Sequence, residues 1–487
     1  MSDGAGPAVL IHAFRLPGLF LPGLEDLRTS LHPALDHAPR PRGLARARPN
    51  ALQCTALGIL SIKSPQGGSA MSQDTTRFVT EPARQVPVRW EADVVVCGGG
   101  PAGTAAAAAA GRNGASVILL ERYGCLGGLA TGGLVLALPR FTDLGRPIIG
   151  GLGCEIRDRM IDTGEAVFRG GGDSSLFDPE ALKWVSLRVC REAGVKILHH
   201  VWVASAITED EAVRAVVLES KSGRLAVAGK VFIDATGDGD VYAAAGAEFE
   251  TSNQFMGLPF RLAQVDLERW EQARLNDPDR VTAALEAARK VGGWASYFGL
   301  SPMPELGQMV WGNNMYRELN GLDPEDLTLM EVEGREAIRV SLAELRRSLP
   351  GFENAWLVDT AAQLGVRRSR RLLGEYVLTG EDVSQEDTRF DDAVGRGNDF
   401  RREGVAYDIP YRSLLPRHVK GLLVAGRCLS CTHEALEPLR EIHVCWVMGQ
   451  AAGTAAAMAV KAGIQPHEVP VPELQANLRA AGVAFAE

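Results

Sequence analysis

The stretch from Glu91 to Arg122 decides the fold. Ala92-Asp93-Val94-Val95-Val96-Cys97 is a short apolar run of strand type, and Gly98-Gly99-Gly100-Pro101-Ala102-Gly103 follows it directly. An alanine-rich segment of helical composition comes next. A second strand, Ser116-Val117-Ile118-Leu119-Leu120, then ends in Glu121 and Arg122. Strand, glycine-rich turn, helix, strand and acid in this order predict a βαβ unit that holds an adenine dinucleotide. Gly98 allows the tight turn, Gly100 lets a pyrophosphate approach the backbone, and Gly103 lets the helix pack close to the strand. The helix N-terminus faces the phosphates with unpaired N–H groups and the positive end of its dipole. Glu121, 18 residues after Gly103, is placed to accept hydrogen bonds from a ribose. A glycine-rich turn in an ordinary α/β domain is the plainer alternative.

Working outward, 487 residues imply two or more domains at about 100–200 residues each. Hydrophobic residues make up 46% and charged residues 23%, the balance of a globular chain with a sizeable core. The net charge of −9 argues against nucleic acid or an anionic membrane as the main partner. Nine His and eight Cys lack the paired spacing of a zinc site, so no metal is expected. Cysteines scattered through a chain of this size suggest a reducing compartment, and a cytoplasmic location is expected. No run reaches the roughly 18 apolar residues of a membrane span.

The first 70 residues differ in texture. Pro17, Pro22, Pro33, Pro39 and Pro41 interrupt every apolar run, and no secretory signal pattern fits. The expectation is that Met71 is the true start, with residues 1–70 disordered or not made and residues 1–85 an extension outside the folded domains.

Residues 90–250 and 405–465 read as one nucleotide-binding domain in separated segments. The second segment holds a helix (Pro179–Ala193), a strand (Val195–His199), a strand pair (Val201–Thr208 and Ala212–Glu219) and a buried strand (Lys230–Asp234). The third holds a strand (Gly421–Ala425) and an Ala-rich helix after Gly449. Alternation of strands and helices implies a parallel sheet covered on both faces. Residues 251–404, with aromatics and charged helices (Asp323–Leu349), read as an inserted mixed α+β substrate domain. Residues 466–487 read as a C-terminal tail.

Further glycine-rich runs fit the same cofactor. Gly127 and Gly128, in Gly124-Cys125-Leu126-Gly127-Gly128-Leu129-Ala130-Thr131, free backbone N–H groups from Cβ interference, and Thr131 ends that run. Asp234-Ala235-Thr236-Gly237-Asp238-Gly239-Asp240 follows a buried strand and so lies on the ligand side of an open sheet. Gly426-Arg427 repeats that geometry. Gly449-Gln450-Ala451-Ala452-Gly453 is expected to open a helix whose dipole stabilises negative charge on a reduced flavin; plain packing of a small-residue helix is the alternative.

Taken in order, these motifs resemble the FAD-dependent oxidoreductase family, of glutathione-reductase-like and fumarate-reductase-flavoprotein-like fold. The likeness spans about Trp90 to Lys461. It also rests on Leu126-Gly127-Gly128, Phe177-Asp178-Pro179-Glu180, Gly365–Arg371, Ile409-Pro410-Tyr411-Arg412, Gly426–Ser430 and Thr432-His433-Glu434-Ala435. It implies an α/β fold: a Rossmann-like FAD-binding domain with a parallel sheet and the inserted domain. It implies FAD as cofactor, with Glu121 on the ribose and Val203 meeting the adenine through its backbone. Ala235, Thr236 and Gly237 would line the adenosine half. Gly426, Arg427, Gln450, Ala451 and Ala452 would line the ribityl chain and ring. Arg368 departs from the family pattern, which carries an acid there.

Chemistry is expected between Cys428 and Cys445, a segment that holds His433, Glu434, Glu437, Arg440, Glu441 and His443. A base of near-neutral pKa suits removal of a substrate proton, so His433 and His443 are the candidate bases. Arg440 is the candidate anchor for an anionic substrate or for the flavin's negative end, with a helix-surface ion pair to Glu437 as the alternative. Arg367, Arg370 and Arg371 are open to two readings, carboxylate binding or structural ion pairs. Cys428 and Cys431 form a CxxC that reads as two buried thiols rather than a redox pair or half a zinc site. Trp294, Tyr297, Phe298, Trp311 and Tyr316 either wall a pocket or form core. The expected function is an FAD-dependent oxidoreductase, with non-covalent FAD, that transfers a hydride between a small organic substrate and flavin N5. The alternatives are a flavin monooxygenase or halogenase, and a non-catalytic FAD-binding subunit. A homodimer or a redox partner protein fits either arrangement.

Overall fold

The structure, a computed structural model, describes residue 77 and residues 79–168 and 173–486. The expectations for residues 1–70 and Met71 lie outside the described residues, and the fold that follows is that of Pro82–Glu487. In chain order it begins β1 (Val88–Cys97), α1 (Pro101–Arg112), β2 (Val117–Glu121), α2 (Gly151–Asp162) and α3 (Pro179–Glu192). It continues with β3 (Lys196–His199), β4 (Trp202–Glu209), β5 (Ala212–Ser220) and β6 (Gly223–Asp234). The middle of the chain supplies β7 (Phe260–Ala263), β8 (Tyr297–Met303), β9 (Met309–Met315), α4 (Pro324–Ser348) and β10 (Trp356–Thr360). The last third supplies β11 (Leu422–Val424), α5 (Ile442–Ala462) and α6 (Val471–Ala480).

The central sheet runs β3-β2-β1-β6-β5-β4, with β11 added on β6. Strands β3, β2, β1, β6 and β11 are parallel: Val94 faces Val117 on one side and Val231 on the other, and Phe232 faces Leu422. Val94–Cys97 is fully buried, as expected for a strand covered on both faces. The sequence predicted a strand over Lys230–Asp234. In the structure β6 starts at Gly223, and its first half pairs antiparallel with β5 before its second half joins the parallel core.

Local chemistry sets the helix starts. Asp178-Pro179-Glu180 and Asp323-Pro324-Glu325 both open helices: each Asp accepts from the Glu N–H, at 2.9 and 2.8 Å, and Pro occupies the first turn. Helix α5 contradicts the expected start at Gly449. It begins at Ile442, seven residues and about 10 Å earlier. Ile442–Met448 is β-branched, aromatic and sulfur-bearing, poor in helix propensity, and becomes helical because every one of its side chains is buried. Gly449 and Gly453 are contact points against α1, where a Cβ would lie 2.0 Å from the Ala102 oxygen and 2.1 Å from the Ala106 oxygen. Among the described residues no helix is long and apolar enough to cross a membrane.

The middle segment forms an antiparallel sheet, β8-β9-β7-β10, with α4. Its expected limit at 251 falls on a paired strand, Phe249–Thr251 with Arg370–Leu372, and its limit at 404 falls in the turn between the paired strands Ala393–Asn398 and Ala406–Pro410. The expected tail at 466–487 carries α6, whose Leu474 and Leu478 are buried, and Gly482 accepts a hydrogen bond from the Gly151 N–H. Trp294, Phe298, Trp311 and Tyr316 are core; Tyr297 alone of that aromatic set is exposed.

Candidate functional site

A cleft opens at the C-terminal ends of β1, β2, β6 and β11, where an open α/β sheet binds its ligands. From the first turn, Gly98, Gly100, Pro101 and Ala102 line it. Gly98 has φ +99°, and a Cβ there would lie 2.4 Å from the Ala235 oxygen. Gly103 stands behind the turn, where a Cβ would lie 1.8 Å from the Gly98 oxygen. That contact lets α1 start against the strand end. The Gly100 N-cap has no side-chain hydrogen bond, so the first-turn N–H groups of α1 are left for a ligand.

Glu121 and Arg122 line the cleft. Glu121 is buried and accepts from the N–H groups of Gly99 (2.7 Å) and Tyr123 (2.8 Å). One carboxylate therefore closes the glycine turn, and its remaining lone pairs are free for a ribose. Arg122 lies over the rings of Tyr123 and Trp202, 5.0 Å from each centroid. Gly128 and Val203 also line the cleft, whereas Gly127 and Thr131 brace the loop: the Thr131 hydroxyl donates to the Leu126 carbonyl at 2.7 Å.

The run after β6 is a folded knot of acids. Asp234 is buried and accepts from the Thr236 hydroxyl (2.6 Å) and the N–H groups of Thr236, Val241 and Tyr242. That holds Ala235, Thr236 and Gly237 in the cleft wall. Burial opposes ionisation of Asp238, but the Arg427 and Arg122 guanidiniums hold it below the usual carboxylate range. Arg427 lines the cleft beside Gly426 and pairs with Asp238 at 2.7 Å. Asp240 also lines the cleft; burial, then Asp238 and Asp234, raise its pKa to about 6.

Apart from Arg440, the expected anchor, the rest of the wall was not chosen from sequence. Arg440, Glu441, Ile442 and Cys445 line the cleft together with Gln363. Glu441 is the N-cap of α5, and its carboxylate makes no hydrogen bond among the described residues. Burial raises its pKa, against the pull of Arg440. The first-turn N–H groups of α5 have no intrahelical acceptor. The one sequence signal for Glu441 was its place between Arg440 and a buried run, and it was masked by the misplaced helix start. Gln363 carried no signal.

Other expected residues lie elsewhere. Gln450, Ala451 and Ala452 do not line the cleft. Gln450 accepts from the Leu152 N–H at 2.8 Å, and all three pack inside α5. His433 is exposed, off the cleft, and hydrogen-bonded to Arg368; burial of its ring face and Arg368 lower its pKa. His443 is buried against Phe141, with Nε2 2.9 Å from the Asn398 side-chain oxygen, and burial pushes its pKa down to about 3. A ring that stays neutral and does not reach the cleft is a poor base for this site. Arg370 pairs with Asp240 and Arg371 with Glu250, the structural alternative. Cys428 and Cys431 are buried and free, burial pushing the Cys431 thiol up to about 12.

The cleft fits an adenine dinucleotide. Gly98 and Gly103 let the turn close where a Cβ would strike the Ala235 and Gly98 oxygens, and Gln363 Oε1 and Arg440 Nε are buried in the wall without partners. Fold and cleft thus define a dinucleotide-dependent enzyme of the Rossmann type. The chain belongs to the FAD dependent oxidoreductase family, whose profile matches residues 93–478. It is an enzyme, and its cofactor is FAD. It is 33% identical over 156 residues to the thiamine thiazole synthase of Methanothermobacter thermautotrophicus, a match over 30% of this chain that spans 56% of that relative. Among solved structures it is similar to the myxobacterial chondrochloren halogenase (TM-score 0.47, 15% identity, 80% of this chain and 79% of that one). It is also similar to the p-nitrophenol 4-monooxygenase of Pseudomonas putida DLL-E4 (TM-score 0.44, 14% identity, 80% and 84%).

Proposed function

We propose that this enzyme exchanges a hydride between a small organic substrate and FAD, with Glu441 as the group that holds the substrate's proton. Bound FAD supplies the two-electron chemistry. The protein's own part starts with the glycine turn and α1, which would hold the pyrophosphate, and with Glu121, which would hold the ribose. Arg122, Val203 and Asp240 belong to the same stretch of wall. The observation that carries the reading is the single cleft shared by these residues and by Arg440, Glu441 and the start of α5. Glu441 faces the cleft without a side-chain partner, and its raised pKa suits a group that both takes and returns a proton. Arg440 beside it favours the ionised carboxylate and orients a polar substrate.

The test is an absorbance spectrum of purified protein, followed by anaerobic mixing with panels of alcohols, amines, thiols and acids. A yellow protein bleached by at least one class, with Glu441→Gln slowing that bleaching about a hundredfold or more while retaining flavin, is the expected result. A flavin that no donor reduces, or a Glu441→Gln variant as fast as the parent, would refute the assignment.

A further inference from the structure

Among the described residues, Gln363 is the one that the middle segment, 251–404, contributes to the cleft wall. It lies just past β10, where the chain runs antiparallel to the approach to β7. Two rungs bracket it. The Ala361 N–H donates to the Pro259 carbonyl at 2.8 Å, and Gly365 and Gly257 exchange N–H···O bonds of 2.9 and 3.3 Å. Between those rungs the Gln363 N–H turns aside to the Gly132 carbonyl, 2.9 Å away. Gly132 follows the turn Gly128–Ala130, which itself lines the cleft. The backbone of Gln363 is therefore tied to both sides, and its side chain leaves from a fixed point.

The side chain is where that order stops. Oε1 is buried and accepts from nothing, a carbonyl with two lone pairs and no donor. A buried acceptor left open costs free energy that a bound donor returns. Arg440 Nε, in the same wall, is the opposite case: a buried donor without an acceptor. Unpaired groups of both senses suit a polar molecule and penalise a hydrocarbon.

We propose that Gln363 is a ligand-binding residue of the cleft, its side-chain carbonyl accepting a hydrogen bond from an O–H or N–H donor of the molecule bound there. The middle segment then takes part in recognition through this contact. Two molecules carry such a donor: FAD, in its ribityl hydroxyls and ring N–H, and a substrate of the alcohol or amine class. The contact deepens the function proposed above and rests on the same cleft.

The test compares the parent with Gln363→Met, which keeps the length of the side chain and offers only a weak acceptor, and with Gln363→Glu, which keeps an oxygen. FAD is titrated into FAD-free protein and read as heat. Benzyl alcohol, glycerol, benzylamine and ethanolamine are titrated into FAD-loaded protein and read as shifts of the flavin spectrum. Gln363→Met should weaken FAD, or at least one of the four small probes, about tenfold or more, and Gln363→Glu should lose less. Weakened FAD identifies the cofactor as the donor; unchanged FAD with a weakened probe identifies the substrate. Because Oε1 has no partner to lose, FAD-free Gln363→Met should melt no lower than the parent. Equal affinities for FAD and for every probe, including probes that bind neither protein, would mean that water alone serves the oxygen and would overturn the contact. A lower melting point of FAD-free Gln363→Met would make the residue structural and overturn it too. Gln363→Glu as weak as Gln363→Met would overturn the assignment of an acceptor. A flavin that no donor reduces would refute the role given to Glu441, and the heat of FAD binding would still decide Gln363.

Discussion

Replacing Asp240 with Asn tests whether the cleft carries a carboxylate that the fold holds at a cost. Asp240 opens the short helix Asp240–Ala244, lies 3.1 Å from Arg370, and is raised from 3.8 to about 6 by burial and by its acidic neighbours Asp238 and Asp234. The sign follows from linkage. The unfolded chain releases this proton near 3.8, whereas the folded chain keeps it until about 6. The carboxyl's contribution to stability is therefore fully present below 3.8 and is lost as the pH rises through 6. The gap, at about 1.4 kcal/mol per pH unit, amounts to about 3 kcal/mol near neutrality, about 1.6 kcal/mol at about pH 5 and about 0.6 kcal/mol at about pH 4. Asn keeps the shape of the protonated acid without its charge. Asp240→Asn is thus expected to stabilise the protein by up to about 3 kcal/mol at about pH 7.5, with the gain fading towards about pH 4. Urea unfolding of FAD-free protein, followed by tryptophan fluorescence at these pH values, measures it. A variant less stable than the parent throughout, or one whose difference does not change with pH, would refute the reasoning and make Asp240 a stabilising partner of Arg370.

Gly103→Ala forces a methyl onto the Gly98 carbonyl; overpacking of about 1–3 kcal/mol should lower FAD affinity about tenfold or more, read as flavin fluorescence released per chain on denaturation. Gly449→Ala presses on the Ala102 carbonyl in the same way and should cost about 1–3 kcal/mol of stability, seen as a lower thermal midpoint. Gln450→Ala, which strips the Leu152 N–H of its acceptor, should cost about 1–3 kcal/mol of stability while changing FAD affinity by less than about twofold. A large loss of flavin in Gln450→Ala would return that residue to the cofactor wall. His433→Ala should leave the pH dependence of flavin reduction as it is, because the ring lies off the cleft. In the parent, that dependence should show a limb above the ordinary glutamate value of 4.5, set by the raised Glu441 and missing in Glu441→Gln.

The nucleotide half was legible because local rules and tertiary need agree there. Gly98, Gly103 and Glu121 each satisfy a backbone requirement that few residue types meet, so their identity states their place. The parallel strands read as unbroken apolar runs for the same reason. The catalytic end was less legible because its order is imposed from a distance. Ile442–Met448 has the composition of a strand and becomes a helix only because neighbours bury it on every side. Moving the helix start by seven residues exchanged Gln450 for Glu441 at the cleft. The histidines misled because residue type was weighed without position. Burial keeps His443 neutral, and Arg368 holds His433 outside. Asp240 lay inside a motif already recognised, but its raised pKa depends on how Asp234 and Asp238 fold around it.

The glycine contacts between α1 and α5 join parts of the chain that leave the ribosome far apart in time. Gly98 precedes Ile442 by 344 residues (442 − 98). At about 5–20 residues per second, the first turn waits roughly 20–70 s for the helix that completes its wall. Until then the nascent βαβ unit presents an alanine face with nothing against it, and newly made chains are at their most vulnerable to aggregation during that interval.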